Sequence, residues 1–231
     1  MSAGAVVVIG GTGGLGREIA RHYLAAGREV VISSRDPDRA GTVAGELGGA
    51  ARGIGLELTR PEQVGPPLSG IGPVDHLVLA AIDRGSTTID AFEVGPAAAL
   101  AILKLAGYLT VVHALRSRLS PDGSVVVFGG QARVRPYPGS TMVSTVNGGV
   151  VGMVRTLSVE LAPVRVNAIH PGIVGDSPFW AGKPAPVLET FRAGTLTGRL
   201  ASVADVVGAV TFLLENPSVN GVDLAVDGGW R

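Results

Sequence analysis

Val6-Val7-Val8-Ile9 gives way without a spacer to Gly10-Gly11-Thr12-Gly13-Gly14-Leu15-Gly16, and then to the helical Arg17-Glu18-Ile19-Ala20. No other junction constrains the fold as tightly. An unbroken β-branched run, with no polar residue alternating through it, suits a strand covered on both faces. A diphosphate needs backbone N–H donors at close range and the positive end of a helix dipole, and glycines remove the Cβ atoms that would block its approach. A tight strand-to-helix turn also uses glycine. The position after a first strand, before a first helix and ahead of a second strand near Val30 favours dinucleotide binding. Gly10, Thr12, Gly13, Gly14, Leu15 and Gly16 are therefore candidate cofactor-binding residues.

Short β-branched runs recur at residues 29–33, 76–81, 124–128, 164–169 and 222–226, and residues 51–58 form a weaker third strand placed by order. Between them, apolar residues return at three- and four-residue spacing, as in Leu15-Ile19-Tyr23-Leu24, Leu100-Leu103-Gly107-Val111-Leu115 and Val150-Val154-Leu157-Leu161. Strands alternating with helices predict an α/β fold: a Rossmann-like, doubly wound parallel sheet of about seven strands with helices on both faces. The expectation is one domain over residues 1–231. Residues 178–186 carry Pro178, Pro184 and Pro186 with Phe179 and Trp180, and read as a loop or lid inserted before the last helix, its two aromatics covering either a substrate pocket or a subunit contact.

Charge excludes some partners. Nineteen basic and nineteen acidic side chains cancel, and no basic stripe forms, so nucleic acid is not expected. Cysteine is absent, which removes disulfides and thiol catalysis, and no His/Asp/Glu grouping has metal-ligand spacing. Charged residues make up 16%, below the roughly 25% usual for soluble domains. That deficit predicts large buried faces, some of them between subunits. The N-terminal residues show no signal-peptide pattern. The apolar segment at 97–103 stops at Lys104, short of the roughly 20 residues that span a bilayer. A cytoplasmic protein without membrane contact is expected.

The end of the second strand bears on which dinucleotide is bound. An acidic residue there would accept from a ribose 2′-hydroxyl and repel a 2′-phosphate. This chain has Ser33-Ser34-Arg35, two hydroxyls and a guanidinium suited to charge-assisted bonds with a 2′-phosphate. NADP(H) is expected over NAD(H). Arg35 is alternatively a solvated loop charge, and Asp36 could still reach a ribose.

At this point the chain resembles the short-chain dehydrogenase/reductase family. The resemblance rests on Gly10, Gly14 and Gly16 in the family's Gly-x3-Gly-x-Gly loop, and on Arg165-Val166-Asn167-Ala168-Ile169-His170-Pro171-Gly172-Ile173-Val174 as its sixth strand and following turn. Gly198-Arg199-Leu200, Val203 to Val207, Phe212-Leu213-Leu214, Gly221 and Val226-Asp227-Gly228-Gly229 are similar to its last helix and closing strand. The resemblance implies that Pro171, Gly172, Ile173 and Val174 border the nicotinamide. It also places Ala80 and Ala81, where the family has Asn-Asn-Ala-Gly, along the cofactor, and Glu57, in the place of its third-strand Asp, either against the adenine amino group or in solvent. Members of the family pair through the long helix and the helix after the fifth strand, so the resemblance implies a homo-oligomer, a tetramer or else a dimer.

The family's chemistry uses a Tyr-x3-Lys pair, a Ser about thirteen residues earlier and an Asn on the preceding long helix. Leu157-Ser158-Val159-Glu160-Leu161 resembles the family's Leu-x-x-Glu-Leu and sets the register. Val143 then falls at the tyrosine, Asn147 at the lysine and Gly130 at the serine. Valine has no proton to give, glycine no hydroxyl, and asparagine no charge. Lys104 in Lys104-Leu105-Ala106-Gly107 matches the Asn-Leu-x-Gly pattern, whereas an ungapped count gives Ile102. The chain is thus similar to divergent branches that keep the glycine loop without the usual active-site residues.

Two readings follow. In the first, an oxidoreductase with rearranged parts acts on a small carbonyl, enone, quinone or imine. Lys104 supplies the positive field, Asn147 a hydrogen bond to the ribose, and Ser144 a hydroxyl, with Tyr137, Ser140 and Thr141 nearby. Lys104 is alternatively a snorkelling lysine. In the second, the chain is an inactive NADP(H)-binding protein, a sensor or a partner subunit. His22 reads as exposed on the first helix, His113 lies on the long helix, and His170 reads as packed or hydrogen-bonded beside the cleft. Asp83 and Arg84 either line its mouth or start a loop.

Overall fold

Strands that are apolar on both faces need cover on both faces, and the chain supplies it by winding helices around one sheet. The computed structural model describes residues 4–83 and 85–231. The strands are β1 (Ala5–Ile9), β2 (Val30–Ser34), β3 (Ala51–Gly55), β4 (Val74–Leu79), β5 (Leu119–Phe128), β6 (Arg165–Pro171) and β7 (Asp223–Val226). All pairings are parallel, in the order β3-β2-β1-β4-β5-β6-β7. This is the doubly wound sheet expected from the strand–helix alternation.

Around it lie α1 (Gly14–Ala25), α2 (Pro37–Leu47), α3 (Gly65–Leu68), α4 (Val94–Ala101), α5 (Tyr108–Leu115), α6 (Thr141–Glu160), α7 (Pro178–Ala181), α8 (Ala185–Ala193) and α9 (Val203–Glu215). Alternation along each strand divides the core. Val7, Ile9, Val31, Leu77, Leu79, Val125 and Val127 pack with Tyr108, Val111, Val150 and Val154 on one face. Val6, Val8, Val30, Ile32, Val78 and Val126 pack with Ile19, Tyr23, Val210 and Leu213 on the other. Register is strongly specified, because a one-residue slip would exchange the two sets. β3 lies at the sheet edge. There a glycine-rich, half-buried strand suffices, and Gly53 leaves room for the α2 backbone at Ala40.

Two expectations need correction. The apolar segment does not end at Lys104: α4, a π-helical turn at Ile102–Gly107 and α5 run on as one helix. That helix, Val94–Arg118, is long and apolar enough by length and composition to cross a membrane, with a mean hydropathy of 1.7. Its inner face instead packs in the core, and Lys104 is buried within it. The proline-rich segment at 178–186 is largely helical, because Pro178 and Pro186 stand in first turns, where a missing N–H does no harm.

Candidate active site

The order of strands reverses between β1 and β4, which opens a crevice at their C-terminal ends. The glycine loop lies there, and its glycines do different things. A Cβ on Gly10 would lie 2.7 Å from Ala81 Cα, and one on Gly11 2.7 Å from Ile32 Cγ2. A Cβ on Gly16 would collide with the Gly10 carbonyl oxygen. These three are required by packing. Gly14 is left-handed (φ +51°), and a Cβ there would meet nothing within 4 Å. At Gly13 the nearest atom is Arg39 Nη2 at 4.0 Å.

No side chain caps α1, and its first turn carries no acid. Its leading N–H groups therefore face open space at the positive end of the helix, with Thr12 and Leu15 half-buried alongside. The donor set and the room above Gly13 and Gly14 fit the diphosphate of a nicotinamide dinucleotide.

At the adenosine end, Ser33 is buried and its hydroxyl accepts from the Gly10 N–H at 3.1 Å. It steadies the glycine loop. Ser34 Oγ accepts from the Asp36 N–H at 3.3 Å. Asp36 Oδ1 accepts from the N–H groups of Asp38 (2.9 Å) and Arg39 (3.2 Å), so it caps α2 rather than facing a ribose. Arg35 and Arg39 are both exposed, and neither forms an ion pair among the described residues. Sequence reading missed Arg39, which reaches the loop only because α2 packs beside it.

Glu57 Oε1 accepts from the Thr59 N–H at 2.9 Å and hydroxyl at 2.6 Å. Burial pushes its pKa up, but the Thr59 bonds and the charges of Arg35 and Arg60 outweigh this and hold it below the usual value. Ala80 and Ala81, just past β4, back onto Gly10.

At the far end, a Cβ on Gly130 would lie 2.8 Å from Asn147 Nδ2. The residues that the register places at the family's serine and lysine therefore do meet. Asn147 is buried, and no described residue hydrogen-bonds its amide side chain. Val143, one turn earlier on α6, is half-buried. Ser144 shares a hydrogen bond of 2.9 Å with Ser140, whose oxygen also accepts from the Tyr137 N–H. Gly172 is held by its N–H bond to Val226 O (3.0 Å) and Val174 by a bridge to Ala201, which leaves Pro171 and Ile173 half-buried between them.

Lys104 projects inward from the π-helical turn and is 2% exposed. Its Nζ donates to Phe128 O (2.7 Å) and to the Tyr108 hydroxyl (3.1 Å), and Tyr108 in turn donates to Ala81 O. One side chain thus ties the ends of β4 and β5. It forms no hydrogen bond with Asn147 among the described residues, but its anchor, Phe128, is two residues from Gly130. Burial pulls the Lys104 ammonium down to about 7 and pushes the Tyr108 hydroxyl up. Tyr108 was also missed, although the Lys-x3-Tyr spacing on one helix face was available as a signal.

His170 is fully buried. Its Nδ1 accepts from the Gly130 N–H (3.1 Å) and its Nε2 donates to Asp223 Oδ1 (3.0 Å), which fixes a neutral tautomer. Burial lowers its pKa, only partly offset by Asp223. It positions the turn that carries Gly130. Asp83 is exposed beyond β4, and Arg84 lies outside the described residues. No group of His, Asp or Glu that could hold a metal occurs among the described residues.

Known proteins agree with this geometry. A family model described as enoyl-(acyl carrier protein) reductase matches residues 10–231. The chain is 31% identical over 229 residues to a 3-oxoacyl-[acyl-carrier-protein] reductase of Mus musculus, covering 96% of this chain and 95% of that protein. It is also 31% identical over 232 residues to carbonyl reductase family member 4 of Danio rerio, covering 96% of each. The solved structure of a 3-ketoacyl-(acyl-carrier-protein) reductase from Brucella melitensis complexed with NADH superposes with a TM-score of 0.85. It is 26% identical, and the match covers 99% of this chain and 98% of that one. With an uncapped glycine cradle at the β1/β4 crevice and likeness along nearly its whole length, the chain belongs to the short-chain dehydrogenase/reductase family.

Proposed function

We propose that the chain is an NADP(H)-dependent oxidoreductase with an atypical active site, acting on a small carbonyl, enone, quinone or imine. The observation that carries this reading is the open, uncapped cradle at Gly13 and Gly14, with Arg35 exposed beside it and Arg39 reaching it. When bound, the dinucleotide supplies or takes up the hydride. The chain's own residues bind it, hold its ribose through the Asn147 amide and place Ser144 on the same side of α6. Lys104 sets a positive field beneath the ends of β4 and β5.

None of these groups matches a tyrosine activated by a neighbouring lysine. Substrates that stabilise incoming charge themselves, as quinones, enones and iminiums do, suit such a site better than plain ketones. A fluorescence titration with NADPH and NADH tests the cofactor, and NADPH oxidation in the presence of these acceptors tests the reaction. Tight NADPH binding with turnover of a quinone or enone is expected. Rapid turnover of simple ketones would overturn the substrate class.

A second reading, a cofactor-binding protein without turnover, is favoured by Val143, an apolar side chain where a proton donor would stand. Oxidation of bound NADPH by any acceptor sinks it. A cytoplasmic homo-oligomer belongs to the same proposal. Ile102 and Leu109 lie exposed on the long helix, where a second copy would cover them, and light scattering measures the size.

A further inference from the structure

Both tryptophans of the chain, Trp180 and Trp230, stand in one line of aromatic contacts. Ring centroids are 5.2 Å apart for Phe179–Trp180, 5.3 Å for Trp180–Phe191 and 6.0 Å for Phe191–Trp230. The line joins α7 and α8 to the residues after β7. It ends on Arg135, whose guanidinium lies 5.6 Å from the Trp230 ring centroid. Arg135 belongs to the segment between β5 and α6, five residues beyond the Gly130 that touches Asn147. The rings are half-buried or exposed, so they present faces as well as packing.

The same segment carries Arg133. Its Nε is sealed from solvent without a hydrogen-bond partner, an unfavourable state for a guanidinium N–H. It is close enough to His170 to bear on that ring's charge. Neither Arg133 nor Arg135 has an ion-pair partner among the described residues. Of the carboxylates on β7 and the turn after it, Asp223 takes the His170 ring through Oδ1, and Asp227 Oδ1 accepts from the Gly229 N–H at 2.9 Å. Around this opening Val134, Tyr137, Phe179 and Leu196 expose apolar surface.

A guanidinium against the Trp230 ring and, two residues away on the same segment, a second with an orphaned N–H are a donor set for a planar anion. Arginine forks onto carboxylate or phosphate, while rings stack on a conjugated body. We propose that the mouth of the cleft recognises an aryl or conjugated acid, with Arg133 and Arg135 holding the acidic group and Trp230 the ring. The inference rests on the oxidoreductase reading and narrows its substrate to conjugated acceptors that carry a negative charge. Such acceptors disperse incoming charge over the conjugated system, as a site without a tyrosine acid requires.

The test is a binding experiment on the full chain without cofactor. In Trp180→Phe, Trp230 is the sole tryptophan, and its fluorescence reports the site directly. Benzoate, phenyl phosphate, benzyl alcohol and inorganic phosphate are titrated in turn. Saturable quenching by benzoate or phenyl phosphate, at least about 10-fold tighter than by benzyl alcohol, is expected from charge-assisted bonding. The tighter of the two names the acid as carboxylate or phosphate. Equal affinity for benzyl alcohol, or inorganic phosphate binding as tightly as phenyl phosphate, overturns the proposal.

Arg133→Gln and Arg135→Gln should each weaken the aryl anion about 10-fold and leave benzyl alcohol unchanged. Arg135→Lys, which keeps the charge without the planar fork, should fall between. Unchanged anion affinity in all three also overturns it. NADPH binding by the wild type is measured separately, so a failure there sinks the oxidoreductase reading and not this site.

Discussion

At the β1–α1 turn the site is built from backbone: Gly10, Gly11 and Gly16 are dictated by contacts with Ala81, Ile32 and the Gly10 carbonyl, and Gly14 faces open space. At the ends of β4 and β5 it is built from side chains that three separate elements bring together. Lys104 comes from the long helix, Asn147 from α6 and His170 from β6, and each meets the backbone of the β5 end or the glycines that follow it. A backbone cradle leaves few alternatives, because any Cβ in the wrong place blocks it. A side-chain site can exchange its chemistry while the fold stays. Under the proposed function, that difference lets the dinucleotide end keep the family's pattern while the reacting end carries other groups.

Gly16→Val should break the backbone side most completely. Its Cβ meets the Gly10 carbonyl, so an NADPH titration should show a loss of about 100-fold or more, with a fall in the melting midpoint of several degrees. The opposite manipulation sharpens the side-chain end. Val143→Tyr with Asn147→Lys should raise reduction of plain ketones by about 100-fold, the scale of a positioned proton donor. No gain in steady-state NADPH oxidation would mean that an acid is already in place.

Lys104 gives the third test. Its folded pKa of about 7 lies below the unfolded 10.5, so the unfolded chain holds the extra proton between those values. Stability should therefore rise with pH through that window. Relative to Lys104→Met, the gain should reach about 2 to 3 kcal/mol by pH about 9.5 in urea melts. A flat difference would mean that water reaches the ammonium.

Arg35→Ala with Arg39→Ala should weaken NADPH by about 10-fold or more and leave NADH unchanged, as expected for charge-assisted bonds to a 2′-phosphate. The smallest effect belongs to His170→Gln. The folded His170 pKa is lowered below 6.5, so the unfolded chain protonates first and stability is lost as pH falls below that value. The variant should lose about 1 kcal/mol at neutral pH and flatten that acid limb in denaturant titrations.

The strands were legible because β-branched runs buried on two faces have no polar alternation to confuse them. Ends were less so. β4 stops at Leu79 and hands Ala80 and Ala81 to the glycine loop, and β5 begins at Leu119, upstream of its apolar run. The segment at 178–186 read as a loop because prolines suggest breaks, yet prolines in first turns start helices. In the candidate site the register taken from the family resemblance singled out Gly130 and Asn147, which the structure brings together. Arg39, Arg133 and Trp230 were not legible, since each gains its place from a neighbour distant in sequence, and Tyr108 takes its role from Ala81 O as well as from Lys104 one turn earlier.

The sequence by itself determined the sheet, its order of elements and the glycine cradle, because those depend on local backbone freedom and on unbroken β-branched runs that need cover on both faces. Only the tertiary structure decided what Lys104 is. On an Ala/Leu-rich helix a lysine is as easily a solvated charge as a buried one. The packing of α6 and the sheet against the π-helical turn closes water out and leaves two oxygens, Phe128 O and Tyr108 Oη, to hold the ammonium. Burial and hydrogen-bond partners are properties of surfaces meeting, and no single stretch of chain contains them.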